Sequence, residues 1–224
     1  MKNALLMIIT TLVLSGCINP DQQSEPVNDE FHQKKETDRV HAESTEKNDP
    51  YMHNPQAPDT RSLENIGQEF TDENGKVILK AISDYMDTHR IGPVELSITD
   101  IKVMDYTPAL HLIDYFHGFT NNETNFHYIK LAVTINNTSS EDVNFAPVSI
   151  LKTNKGEMKN FEDDFYLQNL HGILLANEQK SGELAFILDE TTPDKLTEIQ
   201  ITTSDIFDEN NESIQKGKEI NIHF

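Results

Sequence analysis

Apolar and polar positions follow four different rhythms along this chain. Residues 4–14 (ALLMIITTLVL) are nearly continuous in apolar character. Residues 18–62 carry only isolated apolar side chains (Val27, Phe31, Val40, Tyr51, Met52) that fit neither a helical nor a strand period. Between 63 and 90, Val77, Ile78, Ala81, Ile82, Tyr85 and Met86 recur along one face at helical spacing. With Thr71 or Asp72 as cap, this predicts a helical lead-in, stopped at Ile91-Gly92-Pro93. From Val94 onward the period becomes two.

That last rhythm predicts strands. Val94, Leu96 and Ile98 alternate, and Ile101 and Val103 continue after a slip of phase that reads as a bulge. Ile129, Leu131, Val133 and Ile135 alternate and end on the turn signal Asn136-Asn137. Further runs fall at Val143–Ile150, where Pro147 marks an edge or bulge, and at Phe161 to Leu167 after a Lys155-Gly156 turn. Leu184, Phe186 and Leu188, closed by Thr192-Pro193, then Leu196 to Thr202, and finally Ile220, Ile222 and Phe224 complete the set. About seven or eight short strands with turns between them predict an all-β antiparallel sandwich over residues 91–224, preceded by the short helix at 63–90. That length is ample for one core.

The apolar N-terminal stretch is too short for a membrane span and has the length of a signal-peptide core, with Lys2 as its positive flank. It ends in Leu14, Ser15 and Gly16, followed by Cys17, the sole cysteine of the chain. Leu14-Ser15-Gly16-Cys17 resembles the lipobox of bacterial lipoproteins. The resemblance implies a signal peptide over 1–16, cleavage before Cys17 and a diacylglyceryl thioether on its sulfur. Two acyl chains anchor stably where one does not. It also implies a location at the extracytoplasmic face of a bacterial cell membrane. A single cysteine leaves no disulfide framework, so the fold rests on its apolar core.

Residues 17–62 read as a disordered tether. They hold five of the nine prolines and no glycine, and bury too little to offset their ordering entropy. As a coil, the tether has a reach of roughly 35–40 Å. The whole chain has 38 acidic and 18 basic residues, a net charge of −20. That balance argues against nucleic acid and against adhesion to anionic lipid, both of which call for basic patches.

A second likeness lies in the strand region. Val133 to Ser139 matches a strand ending in x-V-x-I-x-N-x-S/T, and Asn154-Lys155-Gly156 matches a following D/N-x-G turn. Glu178, Gly182, Leu184 and Phe186 match a G-E-x-x-x-G-x-L-x-F-x-x-P segment, with Asn177 in place of the first Gly and Pro193 delayed. These features resemble the DUF4352 group of bacterial exported proteins over roughly 91–224. The resemblance implies a telokin-like, immunoglobulin-type sandwich, an extracytoplasmic and non-enzymatic role, and no catalytic residues to carry over.

Motif chemistry is sparse. GxSxG, HExxH, CxxC and P-loop patterns are absent, and the two S-x-x-K matches (Ser149 to Lys152, Ser213 to Lys216) lack the partners such a pair needs. No cofactor is expected. Unusual side chains gather in one place, the segment 104–128, read as a long loop with Tyr106, His111, Asp114, Tyr115, Phe116, His117, Phe119 and His127. Three readings stand beside each other. The aromatics plug the core and leave the histidines at its rim, or Tyr106, His111, Asp114, Tyr115, His117 and His127 form a ligand or partner surface, or the three histidines with Asp114 hold a metal. The acidic runs at 161–164 and 205–212 could hold Ca²⁺, but the second lacks the Gly and terminal Glu spacing of an EF-hand loop, and a solvated turn is the better reading. The expected function is that of a membrane-anchored module binding an unknown envelope protein. The alternative is a cell-surface protein that captures a metal or small ligand with the 104–128 loop.

Overall fold

A computed structural model describes residues 54–224. The first 53 residues, on which the expected lipobox and most of the expected tether fall, lie outside the described residues.

The chain forms antiparallel strands in three sheets. β1 (Glu69–Asp72) and β2 (Gly75–Ser83) make one hairpin, and β3 (Asp87–Ile91) and the long β4 (Val94–Pro108) make another. A four-residue helix α1 (Ile113–Phe116) precedes β5 (Phe126–Asn137). Then come β6 (Val143–Phe145), β7 (Ile150–Thr153), β8 (Met158–Asn160), β9 (Gly172–Leu174) and β10 (Gln179–Leu188). β11 (Glu198–Thr202), β12 (Ile206–Phe207), β13 (Ser213–Gln215) and β14 (Glu219–His223) end the fold. The main sheet runs β1-β2-β4-β5-β10 with β3 also paired to β4; the others run β14-β11-β7-β8 and β13-β12-β6-β9. The chain switches between the two smaller sheets at 146–149, where Pro147 breaks the ladder.

The all-β antiparallel sandwich is as expected, with more strands than the periodicity discloses, because several are only two to four residues long. The expected helix at 63–90 is corrected to β1, β2 and β3. In β2, Val77 and Leu79 are fully buried, and the register slips between Leu79 and Ala81. That irregularity shifts the phase of a period-two pattern and makes it look like i, i+4 spacing. Gly75 closes the first hairpin at φ +132°, where a Cβ would lie 2.4 Å from the Thr107 carbonyl oxygen. The Gly92-Pro93 pair is a two-residue hairpin turn, with Gly92 at positive φ, rather than a helix stop. The expected strand at Phe161–Leu167 is corrected as well. It is a 3-10 turn, Phe161–Asp163, followed by a single bridge from Asp164 to Phe186. The folded part includes residues before 91, and residues 57–62, expected within the tether, belong to it. Ala57, Thr60 and Leu63 are buried against the main sheet's layer.

Two apolar cores lie on the two faces of the main sheet. On one face Leu96, Ile98, Val103, Ile129, Leu131 and Val133 pack with Leu151, Ile199, Ile201 and Ile222 of the second sheet and Phe145 of the third. On the other, Met104, Tyr106, Tyr128, Ala185 and Ile187 lie under a covering layer built from Ala57, Leu63, Phe116, Phe165 and Tyr166. Burial on both faces explains why β4, β5 and β10 carry so few exposed positions.

Candidate functional site

Outside these cores, a groove crosses the sheet β13-β12-β6-β9. Its larger part has a volume of about 420 Å³ and is walled by Asn144, Ala146, Phe161, His171, Ser204 and Phe207. A hollow of about 270 Å³ shares Asn144 and Asn211 with it and adds Asp142, Ile173, Asp208 and Glu209.

Local structure fixes each wall. Phe161 opens the 3-10 turn whose cap is reciprocal. The Asn160 side chain accepts from Glu162 N at 2.8 Å, and Asp163 accepts from Asn160 N at 2.7 Å. The Phe161 ring meets His171 at 5.4 Å, leaving Phe161 40% exposed. Ser204 is committed to structure: its Oγ accepts from Ala146 N at 2.8 Å and donates to Asp205 O at 2.7 Å. At the acidic end, Asp208 accepts from the N–H groups of Asn210 and Glu212 at 2.9 and 2.8 Å. Those bonds, that of Glu212 first, hold its carboxyl below the usual range. Ile173, 63% exposed, lines the smaller hollow. Lys180 Nζ donates to Ile173 O at 2.7 Å and so covers a carbonyl on the open edge of β9. The groove offers aromatic and aliphatic side chains at one end and carboxylates at the other. It suits recognition of apolar and cationic groups, and it presents no nucleophile–base pair.

The segment 104–128 is smaller as a loop than the sequence indicates, because β4 runs to Pro108 and β5 starts at Phe126. Tyr106 lies within β4, fully buried, its hydroxyl donating to Gln56 O at 2.8 Å and Asn74 O at 2.7 Å. Burial lifts its pKa far above the ordinary tyrosine value. Tyr115 donates to Phe165 O at 2.6 Å, and burial pushes it up to about 12. Phe116 sits at the centre of an aromatic cluster, 4.8 Å from Phe126, 5.4 Å from Phe165 and 5.7 Å from Tyr106. The segment is therefore a plug on the second core.

Its histidines stay at the rim and do not converge. His117 pairs with Glu123 and lies 3.9 Å from Asp114, His127 lies 3.9 Å from Asp105, and His111 is exposed. Among the described residues no group of three or more His, Cys, Asp or Glu is placed to hold a metal ion. The acidic runs are turns. Asp205, for example, accepts from Lys216 Nζ at 2.7 Å, Ser213 Oγ and Gly217 N, with Lys216 foremost in holding it down to about 2. Cys17 and Leu14, Ser15 and Gly16 lie outside the described residues.

The periodicity conceals a buried charge cluster. Lys130 is 0% exposed, and its Nζ lies 2.8 Å from Asp100 Oδ2 and 2.7 Å from Glu183 Oε1. Lys102, directly opposite it across β4–β5, lies 2.8 Å from Asp100 Oδ1 and donates to Thr60 O at 3.0 Å. Burial opposes ionisation of Asp100, but the charges and hydrogen bonds of Lys130 and Lys102 hold its carboxyl below the usual range. In the sequence these lysines look like the solvent-facing half of an alternation. The only signal was the phase slip at 99–101, where Asp100 takes φ +47° and turns its carboxylate onto the lysine face.

Among the described residues no helix is long and apolar enough to cross a membrane. No family model matches the sequence. Among solved structures, a functionally unknown protein from Listeria monocytogenes EGD-e is similar at 19% identity and a TM-score of 0.48, over 67% of this chain and 87% of that one. The yjhA protein from Bacillus subtilis aligns at 10% identity and a TM-score of 0.24, over 62% and 78%. The uncharacterized protein YdhF of Bacillus subtilis (strain 168) is 35% identical over 238 residues, covering 100% of both chains. An identity of that size over the full length of both sequences makes this chain a member of the YdhF family.

Proposed function

We propose that this protein is a lipid-anchored, extracytoplasmic binding module of a bacterial cell envelope, with no catalytic activity of its own. The observation that carries the reading is Cys17, the only cysteine in 224 residues, placed directly after Leu14-Ser15-Gly16 and an apolar stretch of signal-peptide length. A sulfur at that position serves thioether attachment, and two acyl chains give stable anchoring. Cys17→Ala is expected to move the protein from the membrane fraction to the soluble exported fraction. Retention of the variant in the membrane would overturn the anchor.

The groove on the β13-β12-β6-β9 sheet is the docking surface in this reading. Its occupant is an extended polypeptide segment carrying apolar side chains and at least one basic one. Phe161 and Ile173 supply apolar contact, and Asp142, Asp208 and Glu209 supply the complementary charge. Lys180 guards a carbonyl of the β9 edge, so side chains rather than an added strand make the contact. A photo-crosslinking side chain placed at Glu209 in intact cells is expected to yield one discrete adduct. Phe161→Ser with Ile173→Ser should abolish it while changing stability by only about 0.5 kcal/mol per site, as exposed positions do. An adduct indifferent to that pair of changes would remove the groove from the account.

A further inference from the structure

We propose that Lys130 and Asp100 become joined by an intramolecular isopeptide bond, with Glu183 as the proton relay and one water released. The three residues stand on adjacent strands β4, β5 and β10, in fixed register. Thr99 pairs with Ala132, Lys102 with Lys130, and Ala132 with Glu183, so Lys130 on the middle strand stands between the bulge carrying Asp100 and Glu183, and touches both. The nucleophile is in contact with its target, since Lys130 Nζ lies 2.8 Å from Asp100 Oδ2. Effective molarities for such pre-set pairs are very high.

The chemistry balances without a further reactant. The Lys130 ammonium passes a proton through Glu183 to Asp100 Oδ2, leaving a neutral amine and a neutral acid. Nζ then bonds to Cγ of Asp100, and the negative charge that develops on Oδ1 faces the Lys102 ammonium, 2.8 Å from that oxygen. The second nitrogen proton returns through Glu183 to Oδ2, the Cγ–Oδ2 bond breaks, and water leaves. One ammonium and one carboxylate have become one amide and one water. Nothing is oxidised or reduced.

Burial favours the product. Lys130 is fully enclosed and the Glu183 side chain is 11% exposed, whereas Asp100 at 32% gives the departing water a way out. Two lysines opposed in the interior repel one another, and each buried ion carries a desolvation cost. The amide removes one ion of each sign and leaves Lys102 and Glu183 as the remaining charges. Lys102 also touches Asp100, but its other partner is the Thr60 carbonyl, which cannot take up a proton. Lys130 alone of the two has a second carboxylate, so it is the nucleophile. A domain with no cysteine after Cys17 gains a covalent tie between β4 and β5 that needs no thiol.

Peptide mapping of the full chain, purified from membranes, tests this directly. Trypsin is expected to leave one branched species in which residues 91–102 are attached to residues 103–152, with Lys130 uncleaved and the mass short by one water. Unmodified peptides ending at Lys130 as the main product would overturn the proposal, as would a branch on Lys102. In Glu183→Gln, which keeps the shape and removes the relay, the branched species should form at least about 100-fold more slowly. Formation at the native rate would overturn the role of Glu183.

Discussion

Phe116→Ala should cost roughly 3–5 kcal/mol of folding stability, the usual range for removing a buried aromatic side chain. Phe116 is the one fully buried side chain of the helix α1, and its ring contacts Tyr106, Tyr115, Phe126 and Phe165. Those neighbours belong to β4, β5, the plug itself and the segment after the Phe161–Asp163 turn. The cavity would therefore open where two parts of the covering layer meet the main sheet. Leu110→Ala, in the same segment but 86% exposed, should change stability by no more than about 0.5 kcal/mol. Urea titration of both variants checks the contrast. Equal effects would mean that 109–125 does not seal the second core.

The other large effect belongs to Asp164. It lies beside the outer edge of β10 and closes it in place of a further strand, accepting from Ala185 N at 2.8 Å and Tyr166 N at 3.1 Å, with Phe165 N donating to Ala185 O. Asp164→Ala would orphan two buried N–H groups, at about 1–3 kcal/mol each. Asp164→Asn keeps the acceptor oxygen and should retain most of the native stability.

The two side chains differ in pH dependence. Burial raises the Asp164 pKa to about 6, outweighing the backbone N–H bonds that pull it down. A carboxyl raised in the folded state lends stability that is fully present below the unfolded value of 3.8 and lost as pH rises through 6. Asparagine does not titrate. The stability of the native chain relative to Asp164→Asn should therefore fall by about 2–3 kcal/mol between pH 4 and pH 7. A pH-independent difference would show that the carboxyl ionises as freely in the fold as outside it.

Where one face of a strand carries an unbroken run of aliphatic residues, the sequence is a good guide. Ile129, Leu131, Val133 and Ile135 announce β5, Ile220 and Ile222 announce β14, and the break between Ile98 and Ile101 does mark a bulge. Legibility fails where a second layer exists. Lys102 and Lys130 occupy the polar half of an alternation and would face solvent on a one-sided sheet; the covering layer buries them instead. A register slip in β2 imitates a helical stripe, and only pairing with β4 separates the two. The plug was one of three readings of 104–128, since spacing alone cannot say whether Phe116 or His117 turns inward. The groove is harder still. Phe161, His171 and Phe207 are far apart in the chain, and the fold alone brings them to one wall.

Mass spectrometry of the mature N-terminus in membrane-purified protein bears most directly on the proposed anchor. The account predicts a chain whose first residue is Cys17, carrying a diacylglyceryl group on its sulfur. A chain that begins elsewhere, or one in which Cys17 bears a free thiol, would contradict it.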